Sequence, residues 1–412
     1  CIRDSTTSDR EKNQFAPEEE EEPDQNAATF LDYFQDHQKY QLRSDVSYQF
    51  GPQLMEFGVQ LEYADSDYDV VAFIDREDLG EILGIEEPLD FAFQRHPDGW
   101  SGGAYWSAEL VFGRFIFQPG LRWDFQDYDP LGSTDHISPR LGLKFSPVPA
   151  LTFRADYGRF HQPQGIHEMQ VTDGVGQFFP PQRSDHLIAG IEWLGLPDWE
   201  VRAEVYQKKY RHTRLRFENI FNPFVILPEL EPDRLGFQPT KARAFGADLE
   251  VRRSFGDNVS TVMRYSYMDA EDRLDNQWIP RRWSQQHTVN AIASWQGESM
   301  SFAAALTWHS GWRSSVPPAS IPEDTTLPVS AILNNATLND YISFAISFSK
   351  TWRLGRTDLT FFADVTNVFD RDNQAGVDFD LEEDEETGVV TFTPDTETLI
   401  PLIPSVGFVL AF

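Results

Sequence analysis

The sequence predicts an all-β protein: an antiparallel, up-and-down transmembrane β-barrel, present in part, with about fifteen strands. Three observations carry this. From His37 to Phe412 apolar and polar residues alternate with period two, in runs of about 10–15 residues, longer than the five or six usual in globular sheets. The connections between these runs alternate strictly between short and long. No stretch approaches about eighteen consecutive apolar residues, so helices do not cross a membrane here, whereas alternating strands of this length do.

Composition supports the same class. The chain has 412 residues, of which 14% are aromatic, including 33 Phe, 13 Tyr and 11 Trp. Rings are enriched where a barrel meets its two membrane interfaces. Against 34 Lys and Arg stand 66 Asp and Glu, a net charge of -32, which argues against nucleic acid as a partner. Cys1 is the sole cysteine, so no internal disulfide forms. It is readable as the lipidated first residue of a lipoprotein or as an internal residue of a longer chain; the strand count favours the second.

In chain order, residues 1–36 read as an acidic extracellular loop remnant, with Glu18 to Glu22 unbroken and a short helix expected near Thr29–Phe34. The first strand is expected near His37–Phe50 and the barrel portion over residues 37–412. Met55, Phe57, Val59, Leu61 and Tyr63 then oppose Glu56, Gly58, Gln60 and Glu62. Leu121, Trp123 and Phe125 oppose Arg122 and Asp124, and Phe153, Ala155 and Tyr157 oppose Arg154 and Asp156. Val201, Ala203 and Val205 oppose Arg202, Glu204 and Tyr206; Ile342, Phe344, Ile346 and Phe348 oppose Ser343, Ala345 and Ser347. In a membrane barrel the apolar set meets lipid and the polar set lines the lumen.

Short turns fall at Gly51-Pro52-Gln53, Phe112-Gly113-Arg114, Ser146-Pro147-Val148-Pro149, Gly195-Leu196-Pro197-Asp198, Gly256-Asp257-Asn258, Gly297-Glu298 and Leu354-Gly355-Arg356. Long loops cover roughly 70–100, 128–136, 161–184, 217–241, 270–283, 309–339 and 371–400, all on one rim. Because an odd strand count cannot close an ordinary barrel with both ends inside, upstream strands are expected beyond residue 1.

The final residues Ser405 to Phe412 alternate, with Val406, Phe408, Leu410 and Phe412 on one face. Their order, a polar residue, Gly407, Leu410 and a terminal aromatic, resembles the assembly signal of bacterial outer-membrane barrels. The resemblance assigns Ser405, Gly407, Leu410 and Phe412 to recognition by the barrel assembly machinery and implies outer-membrane lipid as surroundings.

Several segments resemble one family, the TonB-dependent outer-membrane receptors. The run Thr357 to Arg371, ending Asn367-Val368-Phe369-Asp370-Arg371, is similar to the family's penultimate strand. Ser138-Pro139-Arg140 to Pro147, followed by Leu151 to Phe160, resembles the mid-barrel hairpin, although its usual Arg-Ala-Pro sequel is replaced by His161-Gln162-Pro163. Ala244 to Glu250, Tyr265 to Ala270 and Arg282 to Thr288 add three further matches. The resemblance covers residues 37–412 and implies a barrel of about 22 strands around an N-terminal plug that binds the TonB complex. Neither the plug nor that motif is in this sequence. It also implies a Gram-negative outer membrane and active uptake of a scarce, bulky nutrient, such as a ferric siderophore or another small-molecule or metal-chelate ligand. A passive or selective channel, or a structural or adhesion barrel binding partners through its loops, are the alternatives.

No catalytic motif occurs, so the chain reads as no enzyme. Lumen carboxylates Asp156, Glu204, Asp248 and Glu250 read as partners of Arg154, Arg202, Arg252 and Lys208 that stiffen the wall. Asp65, Asp67 and Asp69 are candidate Ca²⁺ ligands, as are the carboxylates from Asp378 to Glu386, although both read first as solvated loop tips. Candidates for substrate contact are the ring and cation side chains of the long loops: His161, His167, Phe178, Phe179, His309, Trp312 and Arg313. Trp308, Trp312, Tyr128 and Trp283 read alternatively as interfacial girdle residues, Trp308 foremost.

Overall fold

The computed structural model describes residues 2–14, 29–76, 80, 82–84, 89–129, 131–221, 224–322, 325–384, 387 and 389–412. Among them one antiparallel sheet of 18 strands forms a wall. Its strands are β1 (Ile2–Gln14), β2 (Phe30–Phe50), β3 (Gln53–Ile74), β4 (Leu89–Arg95), β5 (Asp98–Phe112) and β6 (Phe115–Tyr128). Next come β7 (Gly132–Val148), β8 (Leu151–Gln162), β9 (Gln182–Trp193), β10 (Trp199–Arg211), β11 (Lys241–Phe255) and β12 (Val259–Leu274). The last are β13 (Gln277–Pro280), β14 (His287–Gln296), β15 (Met300–His309), β16 (Tyr341–Leu354), β17 (Thr357–Thr366) and β18 (Ile403–Ala411). Chain neighbours pair throughout, as expected of an up-and-down barrel wall.

Two spans are broken in the middle. β3 pairs with β5 through Asp65 opposite Asp98, and with β4 from Tyr68 opposite Arg95. The break falls at His96 and Pro97; proline has no N–H to give a ladder, while its carbonyl still accepts the Ser66 N–H at 3.0 Å. β12 is covered in the same way, by β14 and then by the short β13. Counting each broken span once, 18 strands make sixteen crossings. Tight turns join β2 to β3, β5 to β6 and β16 to β17; Gly113 (φ 58°) and Gly355 (φ 72°) take the left-handed backbone that such turns demand.

The structure corrects the sequence reading at its start. Ile2–Gln14 is not loop but a strand, paired with β2 from Ile2 opposite Leu42 to Gln14 opposite Phe30. Polar composition excluded a buried core, but a wall strand needs only its backbone partners. β2 begins at Phe30, so the helix expected over 29–34 is strand as well. Glu18–Glu22 lies outside the described residues.

Strand β3 shows how the wall is built. Below, Phe57, Val59 and Leu61 are exposed on the outer face, Val59 at 58%, and Glu56, Gln60 and Glu62 point inward. From Ala64 upward the faces exchange character: Asp65, Asp67 and Asp69 continue the outer face, while Ala64, Tyr68, Val70 and Ala72 are buried, Val70 at 0%. β12 repeats the exchange, with Met263, Tyr265 and Tyr267 outside below, Asp269 and Glu271 outside above, and Ala270 and Asp272 buried inside. Lower down the inner face carries ion pairs: Arg154 with Glu204, and Glu250 with Arg252 at 2.7 Å and Arg264 at 2.6 Å.

The buried apolar clusters lie above the exchange, in a cap made by the long connections. The cap contains a hairpin of Arg216–Asn219 with Arg234–Phe237, and a three-stranded sheet of Ser320–Pro322, Val389–Thr398 and Gln374–Asp384. Asp378 to Asp384 therefore sits on the long-loop rim, as expected, and in a strand instead of a loop tip. Glu385 and Glu386 lie outside the described residues.

Candidate ligand site at the outer rim

The seven sequence candidates fall into two groups. The first lies along residues 161–179, which leave β8 and cross the inner face of the wall. His161, at the end of β8, places Nδ1 3.0 Å from Ser138 Oγ and stacks on His136 with ring centres 4.9 Å apart. Gln126 of β6 then donates to the Gln164 carbonyl at 2.5 Å. Tyr68 of β3 donates its hydroxyl to the Ile166 carbonyl at 2.8 Å and accepts the Met169 N–H at 3.3 Å. Gln35 of β2 donates to the His167 carbonyl at 3.1 Å, and the His167 ring lies 4.8 Å from that of His37. The segment is thus a strap tied in turn to β6, β3 and β2. Burial pushes the Tyr68 hydroxyl up to about 12, so it stays a donor at every physiological pH.

Phe178 is not placed to meet a ligand. It is 6% exposed and packs in the cluster of Tyr68, Val70, Tyr128 and Ile166, with its ring 5.7 Å from Tyr128. Phe179 is half-buried, and its N–H is held by Gln164 Oε1 at 2.9 Å.

The second group does converge. His309 ends β15 on the inner face and stacks on Tyr341 at 4.7 Å and on Trp312 at 5.2 Å. Trp312 meets Trp283 edge-on at 5.3 Å, and Phe224 lies 6.0 Å from Trp283 and 6.1 Å from Trp312. Arg313 donates to Thr337 Oγ1 at 2.9 Å. The buried Arg282 donates to the Ile220 carbonyl at 2.5 Å. Trp283 and Phe224 remain about half exposed, so the rings form a platform open to the outside.

Sequence reasoning placed Trp283 in a girdle and passed over Phe224, Arg282 and Tyr341. A signal existed: Arg282-Trp283 and Trp312-Arg313 repeat the same ring and cation in two long loops. Trp308, by contrast, points outward on β15 opposite Val289, where a girdle residue belongs.

The calcium expectation fails on geometry. Asp65, Asp67 and Asp69 stand at alternate positions of β3, so successive carboxylates are about 7 Å apart along an extended strand and do not share one ion. Asp67 is bound to His96 instead, at 2.6 Å. Among the described residues no group of three or more His, Cys, Asp or Glu is placed to hold a metal, the described carboxylates between Asp378 and Asp384 included.

Residues 3–368 match the family described as TonB dependent receptor-like, beta-barrel. The chain belongs to that family. Its members are outer-membrane transporters of Gram-negative bacteria, not enzymes. Among solved structures the chain is similar to the ferric citrate transporter FecA in its unliganded form, with TM-score 0.59 and 14% identity over 100% of this chain and 58% of that one. It is also similar to the ferric yersiniabactin uptake receptor FyuA from Yersinia pestis, with TM-score 0.61 and 10% identity over 100% and 58% of the two chains. For P. aeruginosa FpvA bound to heterologous pyoverdines the values are 0.59 and 12%, over 99% and 52%. At these identities the likeness is one of fold. The chain spans 52–58% of the length of these three receptors. Among curated proteins none matches.

Proposed function

We propose that this chain is the C-terminal barrel portion of an outer-membrane receptor that takes up a scarce metal chelate, a ferric siderophore or similar, with energy delivered by the TonB complex through a plug outside this sequence. The observation that carries the reading is the family match over residues 3–368, joined to a cap that offers a ring and cation platform above a charged lumen. His309, Trp312 and Arg313, with Trp283 and Phe224, would meet a planar or anionic chelate. His161 and His167 would act through the strap, and Phe178 and Phe179 by packing beneath it. β18 would carry the assembly signal: Val406, Phe408 and Leu410 stand on the lipid side, opposite Ala363, Phe361 and Leu359.

The test uses the full receptor in a strain lacking it. Uptake of labelled ferric chelates under iron limitation should require the receptor and TonB together, and Trp283→Ala with Trp312→Ala should weaken chelate binding at least tenfold. Uptake without TonB, or open-channel conductance in planar bilayers, would favour the passive channel. Deleting Phe412 should lower folded receptor in the membrane without changing affinity in the fraction that folds; normal folded levels would sink the assembly assignment.

A further inference from the structure

Arg282 and Arg313 are anomalous in a chain with 66 acidic against 34 basic residues. Two other arginines of the cap are met by carboxylates, Arg234 by Asp173 at 2.5 Å and Arg281 by Asp272 at 2.8 Å, while the less buried Arg95 and Arg371 bind backbone carbonyls. Arg282 is 6% exposed, yet among the described residues no carboxylate lies within ion-pair distance of it or of Arg313. The two acids whose charge acts on Arg282 are engaged elsewhere: Glu218 by Arg216 at 2.8 Å, and Asp233 by Asn219 at 3.1 Å and the Phe221 N–H at 2.8 Å. They draw the Arg282 charge only at longer range, and burial works against that charge.

The Arg313 N–H donates to the Arg282 carbonyl at 3.2 Å, which fixes the two residues side by side. Arg282, Trp283, Trp312, Arg313 and Ser314 line one small cavity, together with Leu338 and the small residues Ala375 and Gly376. No carboxylate lines it. Its volume for the centre of a water-sized atom is about 10 Å³, room for one such atom. Two buried donors at this place lack any acceptor: Nε of Arg282 and Nε1 of Trp312. A buried guanidinium without a counter-charge is costly, and an unmet buried N–H adds to the cost.

We propose that this cavity binds a single anionic atom, a halide or one carboxylate oxygen of a small acid, held by the N–H groups of Arg282 and Trp312 beside the Arg313 charge. The inference concerns the cap alone and does not rest on the uptake reading. The atom supplies the missing counter-charge and locks the loop of Trp312 to that of Arg282.

The probe is bromide, applied to the full receptor in detergent. Crystals soaked in sodium bromide should show an anomalous peak between Arg282 and Trp312. At constant ionic strength, bromide in place of gluconate should give a saturable increase in thermal stability. Arg282→Met should abolish that effect. Trp312→Phe, which removes one N–H and keeps the ring, should weaken half-saturation about tenfold. Should Arg282→Met fail to fold, Trp312→Phe still decides. Acetate separates the sources: an equal saturable effect assigns the place to a carboxylate oxygen, and none assigns it to a halide. A water only, with no anomalous peak and no saturable effect in the parent protein, overturns the proposal, as does a bromide effect unchanged in Trp312→Phe.

Discussion

The lower and upper halves of β3 obey opposite rules. Below Ala64 the apolar side chains face out and the polar ones face in; above it the outer face carries Asp65, Asp67 and Asp69 and the inner face is apolar and buried. In a transmembrane barrel a half that faces hydrocarbon keeps its hydrophobic residues at the surface, where they lose nothing, and gives the polar set to the lumen. The upper half stands in water, so apolar residues gather inside, as in any soluble domain. One continuous strand thus changes rule between Tyr63 and Ala64, the height at which the membrane surface is predicted to lie. The wall is held by ladders and lumen ion pairs, whereas the cap is held by burial.

Removing buried volume from the cap should have the largest effect. Ile220 is 0% exposed in the cluster with Phe221, Leu235 and Ile332. Ile220→Ala should destabilise the cap by about 2–5 kcal/mol. Limited proteolysis should then cut the loops around 212–240 while the wall keeps its heat-modifiable gel migration. Loss of the folded wall as well would show that the two halves form one cooperative unit.

Next in size is a charge on the lipid face. Phe57→Arg should cost about 2–4 kcal/mol of folding into vesicles at mid-depth. Asp65→Arg, on the same face but above the exchange, should change stability by no more than about 0.5 kcal/mol. Equal costs at the two positions would mean that the membrane surface does not lie between Tyr63 and Ala64.

The same exchange explains what was legible in the sequence. Period-two alternation marks a strand whichever face is apolar, so the wall from β2 to β18 could be read, together with its short turns. The inversion at Ala64 broke the expected pattern of apolar outside and polar inside, so the top of β3 read as loop and its outer aspartates as solvated loop tips, with calcium as the alternative. β1 was missed because, Ile2 apart, its residues are polar. Among the candidate residues, Trp312, Arg313 and His309 stood out in the sequence because rings and cations in long loops are conspicuous, and the structure brings them together. Phe178 was misplaced because a ring that packs a cap and a ring that meets a ligand look alike in one dimension. Arg282 was hidden because its importance is the lack of a nearby carboxylate, which no local pattern shows.

A smaller effect is expected where wall and cap are stitched by one hydroxyl. Tyr68→Phe leaves the Ile166 carbonyl and the Met169 N–H without their partner. The ring still packs, so the cost should be about 1–3 kcal/mol, confined to the strap. Hydrogen exchange should speed up at Ile166 and Met169 and stay unchanged at Val59 and Leu61. Uniform acceleration would show that the strap and the wall open together.

The smallest expected effect is a pH dependence at the strap's far end. His37 points inward above the exchange, with His167 against its ring, Lys39 on its own strand and Asp65 on the neighbouring one. Burial holds its pKa below the usual 6.5, the His167 charge adds to the depression, and the hydrogen bond to the Asp65 carbonyl at 3.0 Å opposes it. The folded state therefore binds fewer protons than the unfolded one between the depressed value and about 6.5. The contribution of His37 to strap stability is fully present above about pH 6.5 and is lost as the pH falls through the depressed folded value. Acidification should thus speed hydrogen exchange at His167 and Met169, after correction for the intrinsic rate, while amides of β14 and β15 keep theirs. His37→Gln, which keeps a polar partner for the Asp65 carbonyl but carries no titrating ring, should flatten that dependence. An unchanged pH profile in His37→Gln would move the sensor elsewhere on the strap, with the stacked pair of His136 and His161 the first place to look.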